Sequence, residues 1–357
     1  MTVIDPALLL DQPPLAPAEL IELEKLVART LATENDVLIV QAEAILALEA
    51  VARSVAGPGV RALNLVSGPY GGLFGEWMRQ AGAAVDEISV AFDEVLDADV
   101  VAERIARSRP HVVAVVHAEA ATGGSNPLRE ILAAAREAGA LTIVDAVASI
   151  GAEPVLVDAW DVDITALGGQ KALAGPAGVS AISVSERAWA TIDANPAAPR
   201  GSSLSLTDAR DKWLRTDRTL IPGMPSWLEA RALTAALHRV HDEGLDAVNR
   251  RHRRAALAAA AGIEALGLAL WQADPAGRAA VDTAVRVPDG ARTADAALGG
   301  ILAHGDGVLR GRLLRINHTG RAAALEPVQD ALDRLAAFVG RDGAKARAAA
   351  EIAFGGA

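Results

Sequence analysis

Short apolar runs separated by amphipathic stretches repeat along the first half of the chain. Residues 36–40, 61–66, 85–90, 111–117, 141–145, 164–167 and 179–184 carry β-branched and aliphatic residues and are closed by Gly, Pro, Ser or Asp, which predicts seven strands. Between them, 44–56, 73–81, 100–108 and 128–139 repeat apolar residues at helical spacing. Such alternation predicts βαβ units and a mainly parallel seven-stranded sheet covered on both faces. Ligand-binding side chains then belong at the carboxyl ends of the strands. His117, Asp145 and Lys171 lie at or just past such ends.

The second half reads differently. An Ala- and Arg-rich stretch, 231–266, predicts one long helix leading into a smaller C-terminal α/β domain, with strands at 283–287 and 312–316 and a terminal helix at 327–339. The Gly/Ala-rich tail 340–357 is expected to fray, and 194–206 reads as a surface loop. The expected division is an N-terminal segment 1–15, a large domain 16–245 and a small domain 246–357.

Composition narrows the function. A net charge of −11 argues against a nucleic-acid partner, and the absence of cysteine excludes disulfides, thiolate metal sites and a Cys nucleophile. The seven histidines show no ligand spacing, so no metal is expected. With no signal-like start and no long uncharged apolar run, a cytoplasmic protein with no membrane partner is expected.

The candidate chemistry begins with a rarity. The chain has 4 lysines against 30 arginines, and Lys171 follows an apolar strand and the run Gly168-Gly169-Gln170. A primary amine that can lose its proton and attack a carbonyl is what arginine cannot supply. Asp145 closes another strand 26 residues earlier. A strand-end acid and a strand-end lysine are what a pyridoxal-type Schiff-base site needs.

At these residues the sequence resembles the class V aminotransferases of the aspartate-aminotransferase fold (fold type I, pyridoxal-dependent). The matching motifs, in order, are His117-Ala118-Glu119-Ala120-Ala121-Thr122-Gly123, Val144-Asp145-Ala146-Val147-Ala148-Ser149-Ile150-Gly151, Gly169-Gln170-Lys171-Ala172-Leu173, Pro176-Ala177-Gly178 and Leu314-Arg315-Ile316-Asn317. A closer likeness runs to the pyridoxamine–pyruvate branch of that family, which takes unphosphorylated pyridoxamine as a substrate. It is carried by Glu43-Ala44-Ile45-Leu46-Ala47-Leu48-Glu49-Ala50, Leu63-Asn64-Leu65-Val66-Ser67-Gly68-Pro69-Tyr70-Gly71 and Val184-Ser185-Glu186-Arg187-Ala188-Trp189.

The resemblance implies a role for each residue. Lys171 forms the Schiff base and moves the proton, and Asp145 holds the pyridine nitrogen protonated. Tyr70, the one tyrosine in the chain, covers one ring face and Val147 the other. His117, Thr122 and Gln170 lie near the ring edge, and Arg315 grips the substrate carboxylate. A homodimer or homotetramer is implied, with 219–227 reaching into a neighbouring subunit.

Departures from the family pattern bear on the substrate. Where phosphate-dependent members have a small Ser/Gly/Thr-like run at a helix N-terminus, this chain has Gln41-Ala42-Glu43-Ala44. A carboxylate in a partly buried phosphate cup would repel the phosphate, whereas a hydroxymethyl group can donate a hydrogen bond to it. A bland alternative is that Glu43 is only a helix-capping acid. The family's Thr-Pro phosphate contact corresponds to Ile221-Pro222, and its N-terminal Gly-Pro to Gln12-Pro13. The branch's second substrate arginine, nine positions before Arg315, falls on Asp306.

The resulting expectation is amino transfer between pyridoxamine and a small 2-oxo acid, pyruvate foremost, giving pyridoxal and L-alanine. No cofactor is then tightly bound, because the vitamin is the substrate. The alternatives are a pyridoxal-phosphate-dependent alanine/serine–glyoxylate aminotransferase and a non-catalytic vitamin-B6-binding paralogue.

Overall fold

The computed structural model describes residues 10–288 and 298–356. The strands are β1 (Asp36–Val40), β2 (Arg61–Val66), β3 (Ala84–Ser89), β4 (Val112–Val116), β5 (Ala118–Glu119), β6 (Gly124–Ser125), β7 (Leu141–Asp145), β8 (Ile164–Gly168), β9 (Ser180–Val184), β10 (Thr283–Arg286), β11 (Leu302–His304) and β12 (Leu313–Ile316). Seven of them form one sheet in the order β1-β9-β8-β7-β4-β2-β3. Every neighbouring pair is parallel except those made by β9, which runs antiparallel to both β1 and β8. The remaining six strands therefore end on the same edge of the sheet.

The central strands are buried along their whole length, as in Val112–Val116, where all five residues are covered. Alternate side chains point to opposite faces. Val113 and Val115 join a core with the helices Pro17–Leu31, Leu128–Glu137 and Trp227–Glu243. Val112, Ala114 and Val116 join a second core under the helices Ala44–Val55, Pro69–Gln80 and Glu186–Ala194. The edge strand β3 instead carries Asp86 and Glu87, and Arg104 and Arg79 neutralise them. Charge on an unpaired edge discourages pairing with another chain.

Beyond the sheet, β10, β12 and β11 make a three-stranded antiparallel sheet with its own apolar core under the helices Leu245–Ala265, Leu325–Phe338 and Ala344–Gly356.

Three expectations are corrected. The single helix expected over 231–266 is two, Trp227–Glu243 and Leu245–Ala265, broken at Gly244, whose φ of 86° is incompatible with a continuous helix. The tail expected to fray is mostly the helix Ala344–Gly356, with Ala346 and Ala350 buried against Leu245–Ala265. Alanine is the best helix former, and its small side chain permits close helix contact, so the same composition supports order once a partner helix is present. The helix expected from Leu73 begins at Pro69, because proline is favoured in the first turn, and so Tyr70 lies at a helix N-terminus. The expected N-terminal segment 1–15 falls partly outside the described residues, and the helix Pro17–Leu31 that follows it was not anticipated.

Candidate active site

One edge of the large sheet collects the chemistry. β7 ends in Asp145, β8 ends one turn before Gln170 and Lys171, β1 leads to Glu43, and β2 leads through Ser67 and Gly68 to Tyr70. Glu43, Tyr70, Asp145, Val147, Gln170 and Lys171 line one cavity of about 380 Å³. Six of the nine site residues named from sequence thus meet there. His117, Thr122 and Arg315 do not line it.

Asp145 is buried, and its Oδ1 accepts the Val147 backbone N–H at 2.9 Å. Burial pushes its carboxyl up to about 6; the Val147 N–H opposes that rise, the Glu43 charge adds to it, and Lys171 opposes it. A cation placed beside Asp145 would restore its charged form.

Glu43 is the N-cap of the helix Ala44–Val55. Its Oε2 accepts the Ile45 backbone N–H at 2.9 Å, and its Oε1 accepts Gln170 Nε2 at 2.6 Å. Contrary to the partly buried cup expected from sequence, Glu43 is exposed in the single chain, because the cap projects from the helix end towards solvent. The Gln170 Oε1 is buried with no partner among the described residues.

Tyr70 is 42% exposed. Burial of its ring raises its hydroxyl pKa; Glu119 raises it further, Arg315 lowers it, and Glu43 and Asp306 raise it. Beneath it lies Glu119, fully buried, with Oε2 facing the Gly71 N–H at 3.4 Å. Burial first, then the neighbouring Asp145, pushes the Glu119 carboxyl up to about 8. A Cβ at Gly68 would run into the Glu119 side chain, so glycine there lets the Tyr70 turn close onto it.

The three residues outside the cavity each have a definite place. His117 is buried; its backbone N–H donates to the Asp145 carbonyl, and its Nε2 stands 3.5 Å from Glu153. Burial lowers its pKa, partly offset by Glu153. Thr122 is fully buried, with Oγ1 3.4 Å from the Glu119 carbonyl. Arg315, on β12, donates from Nη1 to the Ala120 carbonyl at 2.8 Å. Ala120 lines the cavity, so the guanidinium stands directly behind its wall.

Two acids were not singled out from sequence. Glu119 sits inside a quoted motif, and the only signal was a charge in a run of small residues. Asp282 gives no signal, since it precedes β10, lines a neighbouring cavity and comes near enough for the Arg315 and Lys171 charges to act on it only through tertiary packing. It is 3% exposed, neither carboxylate oxygen has a partner among the described residues, and burial pushes it up to about 7 against the opposing Arg315 and Lys171 charges.

A lysine and an acid delivered from adjacent parallel strands into one cavity, on this sheet order, define a lysine-based enzyme of the pyridoxal fold type I class. The profile of the aminotransferase class-V family matches residues 17–298, and the chain belongs to that family; it is a transaminase. It is 37% identical over 329 residues to a pyridoxamine–pyruvate transaminase of Mesorhizobium japonicum, spanning 90% of this chain and 81% of that one. It is 33% identical over 321 residues to the (S)-ureidoglycine–glyoxylate transaminase of Bacillus subtilis, spanning 83% and 76%. Among solved structures, pyridoxamine–pyruvate aminotransferase from Mesorhizobium loti superposes with a TM-score of 0.89 at 34% identity, covering 96% of this chain and 90% of that one.

Proposed function

We propose that this transaminase moves an amino group between pyridoxamine and a small 2-oxo acid, pyruvate foremost, yielding pyridoxal and L-alanine. The observation that carries the reading is Glu43. A helix N-terminus attracts phosphate through its free N–H groups. At Ala44–Val55 the Ile45 N–H is already accepted by the Glu43 carboxylate, whose charge also repels an anion. The cavity suits the vitamin ring, with Asp145 for the ring nitrogen and Lys171 for the carbonyl carbon, but its Glu43 end does not suit a phosphate. The likeness to the Mesorhizobium pyridoxamine–pyruvate enzymes supports the same reading.

Bound there, the pyridine ring supplies an electron sink for the amino transfer. Asp145 accepts the ring N–H, and that charge-assisted bond keeps the nitrogen protonated. Lys171 provides the amine and carries the proton between the two carbons that exchange it. Tyr70 and Val147 bracket the ring, and Gln170 holds Glu43 towards the hydroxymethyl group. Arg315 orients the acceptor carboxylate, and His117 and Thr122 support the ring edge from behind the cavity wall. No tightly held cofactor is needed when the vitamin itself is the substrate.

The second reading, a pyridoxal-phosphate-dependent glyoxylate-type transaminase, is favoured by the family as a whole and by the Bacillus relative. Steady-state assays with pyridoxamine against pyridoxamine phosphate separate the two. Preference for the phosphorylated amine would refute the first.

The same proposal includes a homodimer or homotetramer, supported by Leu220 and Met224, which are exposed in the single chain. It also includes a boundary between large and small domains at 245/246 and a cytoplasmic location; among the described residues, no helix is long and apolar enough to cross a membrane.

A further inference from the structure

The guanidinium that would receive the acceptor acid already holds a carboxylate. Arg315 Nη2 donates to Asp306 Oδ2 at 2.7 Å and lies 3.4 Å from the His304 carbonyl, while Nη1 is taken by the Ala120 carbonyl. Nη1 keeps a second N–H, and Nε is buried without a partner among the described residues. A two-pronged grip on a substrate carboxylate needs two N–H groups directed at it. The parallel N–H pairs of the planar fork, Nη1/Nη2 and Nε/Nη2, both include Nη2, so the grip requires Asp306 to give it up.

The two partners differ in how easily they can move. The Arg315 side chain is 12% exposed and pinned by carbonyls; Asp306 is 83% exposed. Gly307, next to Asp306, is at φ 52° with open space where a Cβ would stand, while Gly305 is packed against the Leu309 backbone, so the freedom to move belongs to the exposed Asp306 side chain. Releasing an exposed ion pair costs little, because water solvates the freed carboxylate. Arg315 is thus the fixed receptor and Asp306 the displaceable stand-in.

We propose that Asp306 is a specificity-determining residue that restricts the acceptor to 2-oxo acids with a single carboxylate. This rests on the transaminase reading of Arg315. A monocarboxylate replaces the Asp306 carboxylate like for like, leaving the charge on Arg315 balanced. A dicarboxylic 2-oxo acid brings a second charge into a region where the exposed carboxylates of Asp306 and Glu43 both bear on Tyr70. Like charges so placed repel unless a further cation intervenes.

The test compares kcat and KM for pyruvate and 2-oxoglutarate, at saturating pyridoxamine, in wild type, Asp306→Asn and Asp306→Glu. Asp306→Asn keeps the side-chain shape and removes the charge. It is expected to lower the pyruvate KM by about threefold, the scale of an exposed ion pair. It should lower the 2-oxoglutarate KM by about tenfold or more, since that substrate meets the added repulsion. The kcat for pyruvate and the KM for pyridoxamine should stay unchanged, and Asp306→Glu should restore the wild-type preference. An unchanged ratio of the two kcat/KM values in Asp306→Asn, or a rise in the pyruvate KM, would overturn the proposal. Turnover only with pyridoxamine phosphate would instead refute the donor reading, and the acceptor ratio could still be measured with that amine, so the two ideas fail separately.

Discussion

Replacing Glu43 by serine separates its two possible roles, because serine is itself a strong N-cap. The serine hydroxyl can accept an N–H of the first turn as the Glu43 Oε2 accepts that of Ile45, so the helix Ala44–Val55 should lose only a few tenths of a kcal/mol. What disappears is the charge and the 2.6 Å bond from Gln170. If Glu43 accepts the pyridoxamine hydroxymethyl group, the loss is one hydrogen bond to a charged acceptor, about 1.5–3 kcal/mol. The exposure of Glu43 favours the lower end, which corresponds to about tenfold in Kd. For the phosphorylated amine the sign reverses. Repulsion in water-like screening is about 1 kcal/mol per pair of unit charges at 4 Å, and a phosphate carries about 1.5–2 charges, so relief gives about tenfold tighter binding. The ratio of the two Kd values should then swing by about a hundredfold. Isothermal titration calorimetry with pyridoxamine and pyridoxamine phosphate reads it directly, since neither amine carries an aldehyde to react with Lys171. Glu43→Gln, which keeps an acceptor and loses the charge, should fall between wild type and Glu43→Ser. An unchanged ratio in Glu43→Ser would reduce Glu43 to a helix cap and leave the unphosphorylated substrate resting on likeness to relatives.

Lys171→Ala should abolish turnover with either amine while calorimetric binding of pyridoxamine persists; retained turnover would refute its role as the proton carrier. Asp145→Asn should lower kcat by orders of magnitude, because an amide cannot hold the ring nitrogen protonated, while raising the melting temperature at pH 7, where ionising a buried carboxyl pushed up to about 6 costs stability; an unaltered kcat would count against that contact. Asp282 keeps a proton up to about pH 7 in the folded chain, whereas an unfolded aspartate releases it near 3.8. Its burial therefore costs nothing below pH 3.8 and progressively more up to about pH 7, about 4 kcal/mol at full effect. Asp282→Asn should accordingly raise the melting temperature at pH 8 relative to wild type, bring a gain of well under half that size at pH 5 and none below pH 3.8, as calorimetry across that range would reveal; an equal gain at pH 8 and pH 5 would refute the argument.

How much of this was legible in the sequence depended on how local the cause was. β1, β2 and β7 match the expected limits residue for residue, because each is a short, mostly apolar run that ends at residues which break it. Asp145 and Lys171 were visible for the same reason: each closes or follows such a strand. The break at Gly244 is not legible in the sequence because a lone glycine inside a helical pattern is often tolerated, and only its positive φ separates the two helices. The order of the alanine-rich tail was hidden because it depends on a partner helix 80 or so residues earlier in the chain, and periodicity carries no information about partners. The pairing of Arg315 with Asp306 lay beyond counting as well. Residues nine apart on a strand and its preceding loop can face each other or diverge, and the turn through Gly307–Leu309 brings these two together.

The donor and acceptor ends of the site share one electrostatic character. Glu43 caps the helix Ala44–Val55, Asp306 pairs with the Arg315 guanidinium, and Glu119, Asp145 and Asp282 are buried. Lys171 bears on Asp145 and Asp282, and Arg315 on Asp282. The elevated pKa values of the three buried acids follow from their burial and, for Glu119 and Asp145, from one another or from Glu43. Such a site favours ligands that bring positive charge or none: a ring nitrogen carrying a proton, a neutral hydroxymethyl group, and an acid with one carboxylate for one arginine. Substrates with one more negative charge at either end meet a carboxylate where a phosphate-dependent or dicarboxylate-specific enzyme needs a donor. On this argument Glu43 and Asp306 act alike, each being an exposed acid that excludes an anion, and the double variant Glu43→Ser/Asp306→Asn should widen donor and acceptor preference independently, with the two effects adding.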